Sequence, residues 1–164
     1  SLCSAIFLYF VNGSSDKEVL SSNLRSFKGL PYRYQTIKKL KEYSIINDSK
    51  STNVHSTIYA LENTKGPLVL FLGGVGKKEK YTNILNYSDK IVKLICFGQD
   101  ANIIADELAS LKPEIYPTLA DALFTNKELL KYPNGNILFS PACASFDEFK
   151  NFEERGKFFN DNIL

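Results

Sequence analysis

The chain has 164 residues, a formal net charge of +2, and 44% hydrophobic and 23% charged residues. This composition is typical of a globular domain, contains no apolar run of membrane-spanning length, and argues against a nucleic-acid or polyanion partner. The three cysteines form no CxxC pair or Cys/His cluster, which argues against a zinc site or disulfide framework and favours a reducing cytoplasm.

The first segment, SLCSAIFLYF, is apolar but has neither the basic leader nor the cleavage site of a signal peptide. We interpret it as part of a buried helix over 1–11. Ser15 and Glu18 form a capping box, which predicts a second helix to about residue 27. Because the sequence contains no methionine, at its first position or elsewhere, we expect it to be a piece of a longer protein.

Gly29 and Pro31, in the segment KGLPYR, interrupt the helical pattern. We therefore place a domain boundary there, between residues 1–33 and residues 34–164. The elements predicted next are strands over 34–38 and 43–46 and a helix over 54–63.

The rest of the chain alternates between apolar runs and stretches with helical periodicity. Apolar runs bounded by turn residues are typical of strands that are buried on both faces of a sheet. The predicted strands are 67–74, 91–98 and 137–140, and the predicted helices are 101–111 and 118–130. Strands alternating with helices predict an α/β fold with a mostly parallel, doubly wound sheet and flanking helices.

Ligands of such sheets bind beyond the carboxyl ends of the strands. Three predicted strands are followed at that end by unusual sequences: NDSKSTN (47–53), GGVGKK (73–78) and SPACAS (140–145). This coincidence is the strongest indication of function that spacing alone provides.

Two of these loops allow two interpretations each. In NDSKSTN, a cap at Thr52 or Asn53 would suffice for a strand-to-helix turn, but it leaves Asp48 and Lys50 without a purpose. GGVGKK lacks the first glycine and the hydroxyl residue of a Walker A phosphate loop. It is either a turn with solvated lysines or a turn that holds Lys77 over the sheet to meet a carboxylate.

The segment SPACASFDEFKNFEERG contains two capping boxes. Ser145 with Glu148, and Asn151 with Glu154, predict two helix starts six residues apart. A helix start exposes free N–H groups and the positive end of a dipole. We therefore hypothesise that an anion binds here.

Packing alone offers a second interpretation of this segment. In this interpretation Ser145 and Asn151 only cap helices, and Cys143 is a small buried residue. The aromatic side chains then fill the core: Phe146, Phe149 and Phe152. Catalysis by Cys143 needs a basic partner, but the only histidine, His55, is predicted on the surface just after a helix cap.

Together, INDSKSTN, the glycine-lysine loop and LFSPACASFDEFKNFEERG closely resemble the carboxy-terminal third of the D-glutamate-adding members of the Mur ligase family. The last motif is highly specific, and DSK-x-TN separates these ligases from their sister ligases. SLCSAI and FKGLPYR also match family motifs, so the resemblance covers the whole chain. It implies that 34–164 form a Rossmann-like D-glutamate-binding domain and that 1–33 form a hinge and the tail of the central ATPase domain.

The resemblance also implies a chemistry. Members of the family use ATP to phosphorylate the carboxylate of UDP-N-acetylmuramoyl-L-alanine, and the amine of D-glutamate then attacks the acyl phosphate. This step belongs to cytoplasmic peptidoglycan precursor synthesis. ATP, Mg²⁺ and the UDP-linked substrate are bound mainly by the missing domains. The resemblance implies a monomer without nucleic-acid or membrane partners.

Matched residue by residue, the resemblance assigns D-glutamate binding to Thr52, Lys77, Ser145, Phe146 and Phe152. Lys77 and Thr52 would hold the α-carboxylate. Ser145 and the backbone N–H of Phe152 would hold the side-chain carboxylate, which accounts for a helix start beside Phe152.

The nucleotide contacts implied by the resemblance are those of Arg33, Asp48 and Lys50. Asp48 would accept hydrogen bonds from the ribose hydroxyls, and Arg33 and Lys50 would serve the ribose–phosphate region. Tyr32 departs from the family's usual histidine before Arg33, and GGVGKKEK departs from the commoner loop sequence although Lys77 stays aligned. No metal ligand and no certain catalytic residue is assigned.

The chain has no Walker loop, so we expect it to be inactive alone. A stand-alone module that binds an acidic amino acid or a nucleotide without turnover is the alternative. A NAD-type Rossmann domain is disfavoured because no G-x-G-x-x-G follows a strand.

Overall fold

The computed structural model describes residues 29–39, 42–131 and 135–163. The predicted helices over 1–11 and 15–27 lie outside these residues, as does the SLCSAI motif. The chain divides into two compact units, Ser1–Pro31 and Tyr32–Leu164. All helices and strands described below belong to the second unit.

Within the described residues, six strands form one sheet. In chain order they are β1 (Gln35–Lys39), β2 (Ser44–Asn47), β3 (Leu68–Gly73), β4 (Ile91–Phe97), β5 (Glu114–Tyr116) and β6 (Asn136–Ala142). Their order across the sheet is β1-β2-β6-β3-β4-β5. The β1–β2 pair is antiparallel and every other pair is parallel. The prediction of a mostly parallel sheet is confirmed.

Each of the strands β2 to β6 is followed by one or more helices. In chain order they are α1 (Val54–Asn63), α2 (Ala101–Glu107), α3 (Leu119–Thr125), α4 (Lys127–Lys131) and α5 (Phe152–Asn162), with short 3-10 helices at Thr82–Tyr87 and Ala109–Leu111. None of the helices in the described residues is long and apolar enough to span a membrane.

Buried side chains form two apolar clusters, one on each face of the sheet. Leu70 of β3 belongs to the cluster that contains Leu61 of α1 and Ile104 of α2. The next residue, Phe71, belongs to the cluster that contains side chains of α3, α4 and α5, including Phe159. Successive side chains of a strand point to opposite faces, so the sheet is covered by helices on both sides. This is the predicted doubly wound α/β architecture.

Most of the predicted elements are confirmed to within a residue or two. The helix over 54–63 is capped by Asn53, whose Oδ1 accepts a hydrogen bond from the Ser56 N–H at 2.9 Å. The predicted helix over 118–130 instead divides at Asn126 into α3 and α4. The Asn126 amide donates to the Ala122 carbonyl and to Tyr116 Oη, and such local bonds compete with the helix. Strand β5 was not predicted, because three residues are too few to show a period.

Helix α5 is fixed to the sheet by aromatic contacts. The Phe159 ring stacks on the Phe139 ring with 4.1 Å between centroids, and it meets the Phe71 ring edge-on at 5.9 Å. Such aromatic pairs stabilise a core beyond their buried area. Two residues after the end of β2, the Ser49 hydroxyl also donates to the carbonyl of Phe152, the first residue of α5, at 2.8 Å. The amino end of α5 therefore lies at the carboxyl edge of the sheet.

Candidate functional site

The direction in which strands are added to the sheet reverses between β3 and β6. From β3 the chain continues to β4 and β5 on one side, whereas β6 lies on the other side of β3. Ligands of open α/β sheets bind at the carboxyl side of such a reversal. GGVGKK follows β3, SPACAS lies at the end of β6, and NDSKSTN follows the neighbouring β2. The structure therefore places the three predicted loops side by side.

Two of the loops are joined by an isolated β-bridge between Val75 and Ala144. Each residue donates its N–H to the carbonyl of the other at 2.9 Å. Gly74, with φ +120°, permits this approach, because a Cβ there would lie 2.1 Å from the Ala144 carbonyl oxygen. Lys77 and Ser145 follow this bridge in their respective loops, so it brings together the segments that carry them.

Arg155 of α5 ties all three loops together and was not identified from the sequence. Its side chain is fully buried, and it donates to the carbonyls of Ser49 and Cys143 at 2.9 Å each and to Ser49 Oγ at 3.1 Å. A longer bond of 3.4 Å reaches the Gly73 carbonyl. Burial lowers the pKa of Arg155 to about 10, so it remains cationic at neutral pH. The motif FEERG gave no signal of this role, since charged residues near a helix start are usually solvated.

The predicted helix start at Ser145 is wrong. The Ser145 carbonyl accepts from the N–H groups of Glu148 and Phe149 at 3.3 and 2.8 Å, which makes a single turn and no helix. The Glu148 carboxylate accepts from the Leu119 N–H at 3.0 and 3.2 Å. It satisfies a free donor at the start of α3 instead of completing a capping box.

This leaves the Ser145 hydroxyl available. Among the described residues it has no hydrogen-bond partner, and the residue is 2% exposed. In the same part of the chain, no fully buried side-chain nitrogen or oxygen lacks a partner. The Ser145 oxygen must therefore lie in the small part of the residue that reaches the surface. The interpretation of Ser145 as a helix cap is wrong.

The second predicted helix start, at Asn151, is confirmed. Asn151 Oδ1 accepts from the Glu154 N–H at 2.8 Å, and the Glu154 carboxylate accepts from the Lys150 N–H at 3.2 Å. Phe152 is the first residue of α5, and its N–H has no partner among the described residues. This N–H is therefore free to bind an anion at the positive end of α5.

Phe146 follows Ser145 and is 73% exposed. The interpretation in which Phe146 fills the core is therefore wrong. Phe149 is half-buried and contacts Phe158 with 5.4 Å between ring centroids. The aromatic residues of this segment therefore have different roles, and Phe146 lies at the surface beside the candidate site.

Thr52 and Lys77 carry side chains that the fold does not engage. Asn53 caps α1, so Thr52 is not needed as a cap. Lys77 is exposed, and neither side chain has a hydrogen bond or ion pair with another residue in the parts of the chain described. A hydroxyl donor in the loop after β2 and an ammonium group in the loop after β3 are thus available.

Asp48 is buried and already accepts two hydrogen bonds. Its Oδ1 accepts from the Tyr34 N–H at 2.9 Å, and its Oδ2 accepts from Ser140 Oγ at 3.0 Å. Burial raises the pKa of Asp48 to about 6, while these bonds and the nearby charge of Arg33 act in the opposite direction. Each oxygen keeps a lone pair for a further donor. The residue is 8% exposed, so part of it is reached from the surface.

Lys50, predicted to contact the nucleotide, contacts Phe152, which is predicted to bind D-glutamate. Its Nζ lies over the Phe152 ring, 4.0 Å from the centroid, a cation–π contact. Its backbone N–H donates to the Tyr32 carbonyl at 2.9 Å. The Tyr32 ring in turn packs against Gly156 of α5, where an added Cβ would lie 2.4 Å from the ring. Lys50 therefore joins the segment of Arg33 to the start of α5.

The structure gives no support to Cys–His catalysis. Cys143 is fully buried, and burial raises the pKa of its thiol to about 11. Its Sγ lies 3.1 Å from Tyr81 Oη. His55 is exposed on α1, as predicted. In the described residues, no group of three or more His, Cys, Asp or Glu side chains is arranged to hold a metal ion.

The chain resembles UDP-N-acetylmuramoylalanine–D-glutamate ligases over nearly its whole length. It is 41% identical to that of Hydrogenobaculum sp. over 160 residues, which are 97% of the chain and 38% of the relative. It is 42% identical to that of Buchnera aphidicola over 88% of the chain and 33% of the relative. The chain thus spans about a third of the length of these relatives. No family model matches the sequence.

Among solved structures, the chain resembles folylpolyglutamate synthase from Thermotoga maritima. The TM-score is 0.52 at 17% sequence identity, over 87% of the chain and 36% of the synthase. At this identity the likeness concerns the fold alone. The relatives confirm the resemblance that the motifs indicate, and the synthase confirms the α/β fold.

Proposed function

We propose that the chain forms the D-glutamate-binding, carboxy-terminal part of a ligase. The premise is that the chain belongs to the family of UDP-N-acetylmuramoylalanine–D-glutamate ligases. The observation that carries the proposal is the meeting of three loops at the carboxyl edge of the sheet, joined by Arg155 and by the Val75–Ala144 bridge. The side chains that remain unengaged there are hydroxyl and ammonium donors, which suit an anionic ligand.

D-Glutamate presents two carboxylates, and the edge offers two pairs of donors. We assign the α-carboxylate to the Lys77 ammonium and the Thr52 hydroxyl. We assign the side-chain carboxylate to the Ser145 hydroxyl and the Phe152 N–H, at the positive end of α5. Phe146 lies next to Ser145 and would border this site. With both carboxylates held, the amine of D-glutamate is left free to attack the activated alanine carboxylate.

The nucleotide contacts form the second half of the proposal. Asp48 would accept from the ribose hydroxyls of ATP, and the cations Arg33 and Lys50 would serve the ribose–phosphate region. The described residues offer no metal-holding cluster, so we assign them no Mg²⁺ ligand. ATP, Mg²⁺ and UDP-N-acetylmuramoyl-L-alanine would be bound mainly by the remaining two thirds of a cytoplasmic, monomeric ligase.

A chimeric enzyme tests this function. The chain would replace the matching 38% of the Hydrogenobaculum relative, and phosphate release would be measured with ATP, UDP-N-acetylmuramoyl-L-alanine and D-glutamate. We expect D-glutamate-dependent release by the chimera and background release by the chain alone. Turnover by the chain alone would contradict the division of labour proposed here. If the chimera is folded but its phosphate release does not depend on D-glutamate, the result would favour a stand-alone binding module.

A further inference from the structure

The turn that carries Ser145 needs an external support. We refer to residues 145–149 as the Ser145 turn. Its own backbone makes two hydrogen bonds, both to the Ser145 carbonyl. A single hydrogen-bonded turn is not stable by itself, because closing it fixes many dihedral angles for little gain. Contacts outside the turn must therefore fix the position of the Ser145 hydroxyl.

Beyond the Val75–Ala144 bridge, which holds the residue before the turn, two consecutive carboxylates provide such contacts. Asp147 Oδ2 accepts from the Gln99 N–H at 3.0 Å. Glu148 reaches in another direction, to the Leu119 N–H at the start of α3. Gln99 lies in the loop between β4 and α2, which the sequence had not singled out.

The loop between β4 and α2 is shaped to receive Asp147. A Cβ at Gly98 would lie 2.3 Å from Asp147 Oδ2, so a larger residue there would displace the carboxylate. The same loop contacts the glycine-rich loop, since the Asp100 N–H donates to the Gly74 carbonyl at 3.0 Å. Asp147 therefore links the Ser145 turn to a support that is itself bonded to the segment before Lys77.

We propose that Asp147 is a positioning residue, which holds the Ser145 hydroxyl where it meets the side-chain carboxylate of the amino-acid substrate. This inference rests on the proposed function. Asp147 acts as the acceptor of the Gln99 N–H and does not itself bind the substrate, because its own negative charge would repel an anion. Its contribution is selective for a substrate that carries a side-chain carboxylate.

The test compares two ligands on the 164-residue chain. D-Norvaline has the backbone of D-glutamate and a methyl group in place of the side-chain carboxylate. Amide chemical shifts would be followed while each ligand is added to the unaltered chain, Asp147→Ala, Asp147→Asn and a control, Glu128→Ala, which removes an exposed carboxylate of α4. The dispersion of the same spectra shows whether each variant is folded.

We expect Asp147→Ala to weaken D-glutamate binding by about tenfold, because the displaced Ser145 hydroxyl loses its hydrogen bond to the side-chain carboxylate of the ligand. The binding of D-norvaline should not change. Asp147→Asn keeps an oxygen acceptor for the Gln99 N–H and should bind D-glutamate as the unaltered chain does. The control variant Glu128→Ala should bind both ligands as the unaltered chain does. If Asp147→Ala does not fold, Asp147→Ser, which keeps a small polar side chain but lacks the carboxylate, should give the selective loss.

Three outcomes would overturn the inference. If Asp147→Ala weakens the binding of both ligands equally, Asp147 is a general structural residue. If it leaves D-glutamate binding unchanged, Asp147 has no role in binding. If Asp147→Asn binds D-glutamate as weakly as Asp147→Ala does, the charge of Asp147 is what matters and not its hydrogen bond with the Gln99 N–H. In each of these cases the unaltered chain still binds D-glutamate, so the proposed function stands. If the unaltered chain shows no response to D-glutamate, the proposed function fails and the inference fails with it.

Discussion

Arg155 holds Ser49 by both its main chain and its side chain: the guanidinium donates to the Ser49 carbonyl at 2.9 Å and to its hydroxyl at 3.1 Å. Ser49 Oγ in turn donates to the Phe152 carbonyl at 2.8 Å. The loop after β2 and the first turn of α5 are therefore one hydrogen-bonded unit. Because the same guanidinium also reaches the Cys143 and Gly73 carbonyls, its loss should be felt at all three loops.

We expect Arg155→Met to lower the free energy of unfolding by about 3–5 kcal/mol, because buried carbonyls lose a charged donor. Arg155→Lys should be only a partial rescue, since an ammonium cannot reproduce the forked geometry. Urea denaturation of the 164-residue chain measures both. Lys157→Met, two residues along α5 at a 69% exposed side chain, is the matched control and should change stability little. An Arg155→Met variant as stable as this control would contradict the role given to Arg155.

Lys77→Ala in the chimeric ligase should raise the apparent KM for D-glutamate by about ten- to a hundredfold, since one charge-assisted hydrogen bond is lost. The KM for ATP should change far less. Lys77 is exposed, so folding should be unaffected. Lys78→Ala removes the neighbouring exposed lysine and serves as the control. Equal effects on both substrates would place Lys77 outside the glutamate site.

Ser145→Ala and Asn151→Ala should have opposite consequences. Asn151 caps α5, so its loss should cost about 1 kcal/mol of stability. Ser145 caps nothing, so Ser145→Ala should leave the thermal midpoint nearly unchanged. It should nevertheless weaken D-glutamate use by about tenfold in the chimera, through one lost bond to a carboxylate. Normal glutamate kinetics in a stable Ser145→Ala enzyme would remove Ser145 from the site.

Asp48 should make the chain less stable as the pH rises. Burial raises its pKa from 3.8 to about 6. The folded chain therefore retains a proton that the unfolded chain releases, and stability falls between about pH 4 and pH 6. The shift corresponds to a loss of about 3 kcal/mol above pH 6.

Asp48→Asn keeps the shape and an acceptor oxygen without the buried charge. Urea denaturation should show this variant to be more stable than the unaltered chain at pH 8, by up to about 3 kcal/mol, and equally stable near pH 4. The variant should also weaken nucleotide binding if Asp48 accepts from the ribose. A pH-independent difference between the two chains would exclude the burial penalty.

The sheet could be predicted from the sequence because its central strands are continuous apolar runs. Runs such as PLVLFLGG are apolar throughout, and a parallel strand that is buried on both faces requires this. It also predicted the sheet edge at which the loops meet. The roles of Arg155 and Asp147 were not predicted, because both side chains bond to backbone groups of loops that are distant in the sequence. Every residue type has such backbone groups, so the side-chain pattern does not reveal these partners.

The error at Ser145 has the same origin. The pair Ser145 and Glu148 satisfies the local rule for a capping box, but a free N–H at Leu119 captures the Glu148 carboxylate. Tertiary contacts thereby override the local pattern. The hydroxyl that remains available as a result is what places Ser145 among the proposed ligand donors.

The most direct test of D-glutamate binding at this edge is to map the amide chemical shifts of the 164-residue chain as D-glutamate is added, with L-glutamate as the control. We expect shifts concentrated in the loops of Thr52 and Lys77, in the Ser145 turn and at the first turn of α5, with the Phe152 amide strongly affected. L-Glutamate should cause much smaller changes. Equal responses to both enantiomers, shifts confined to other parts of the sheet, or no response at millimolar D-glutamate would contradict the site proposed here.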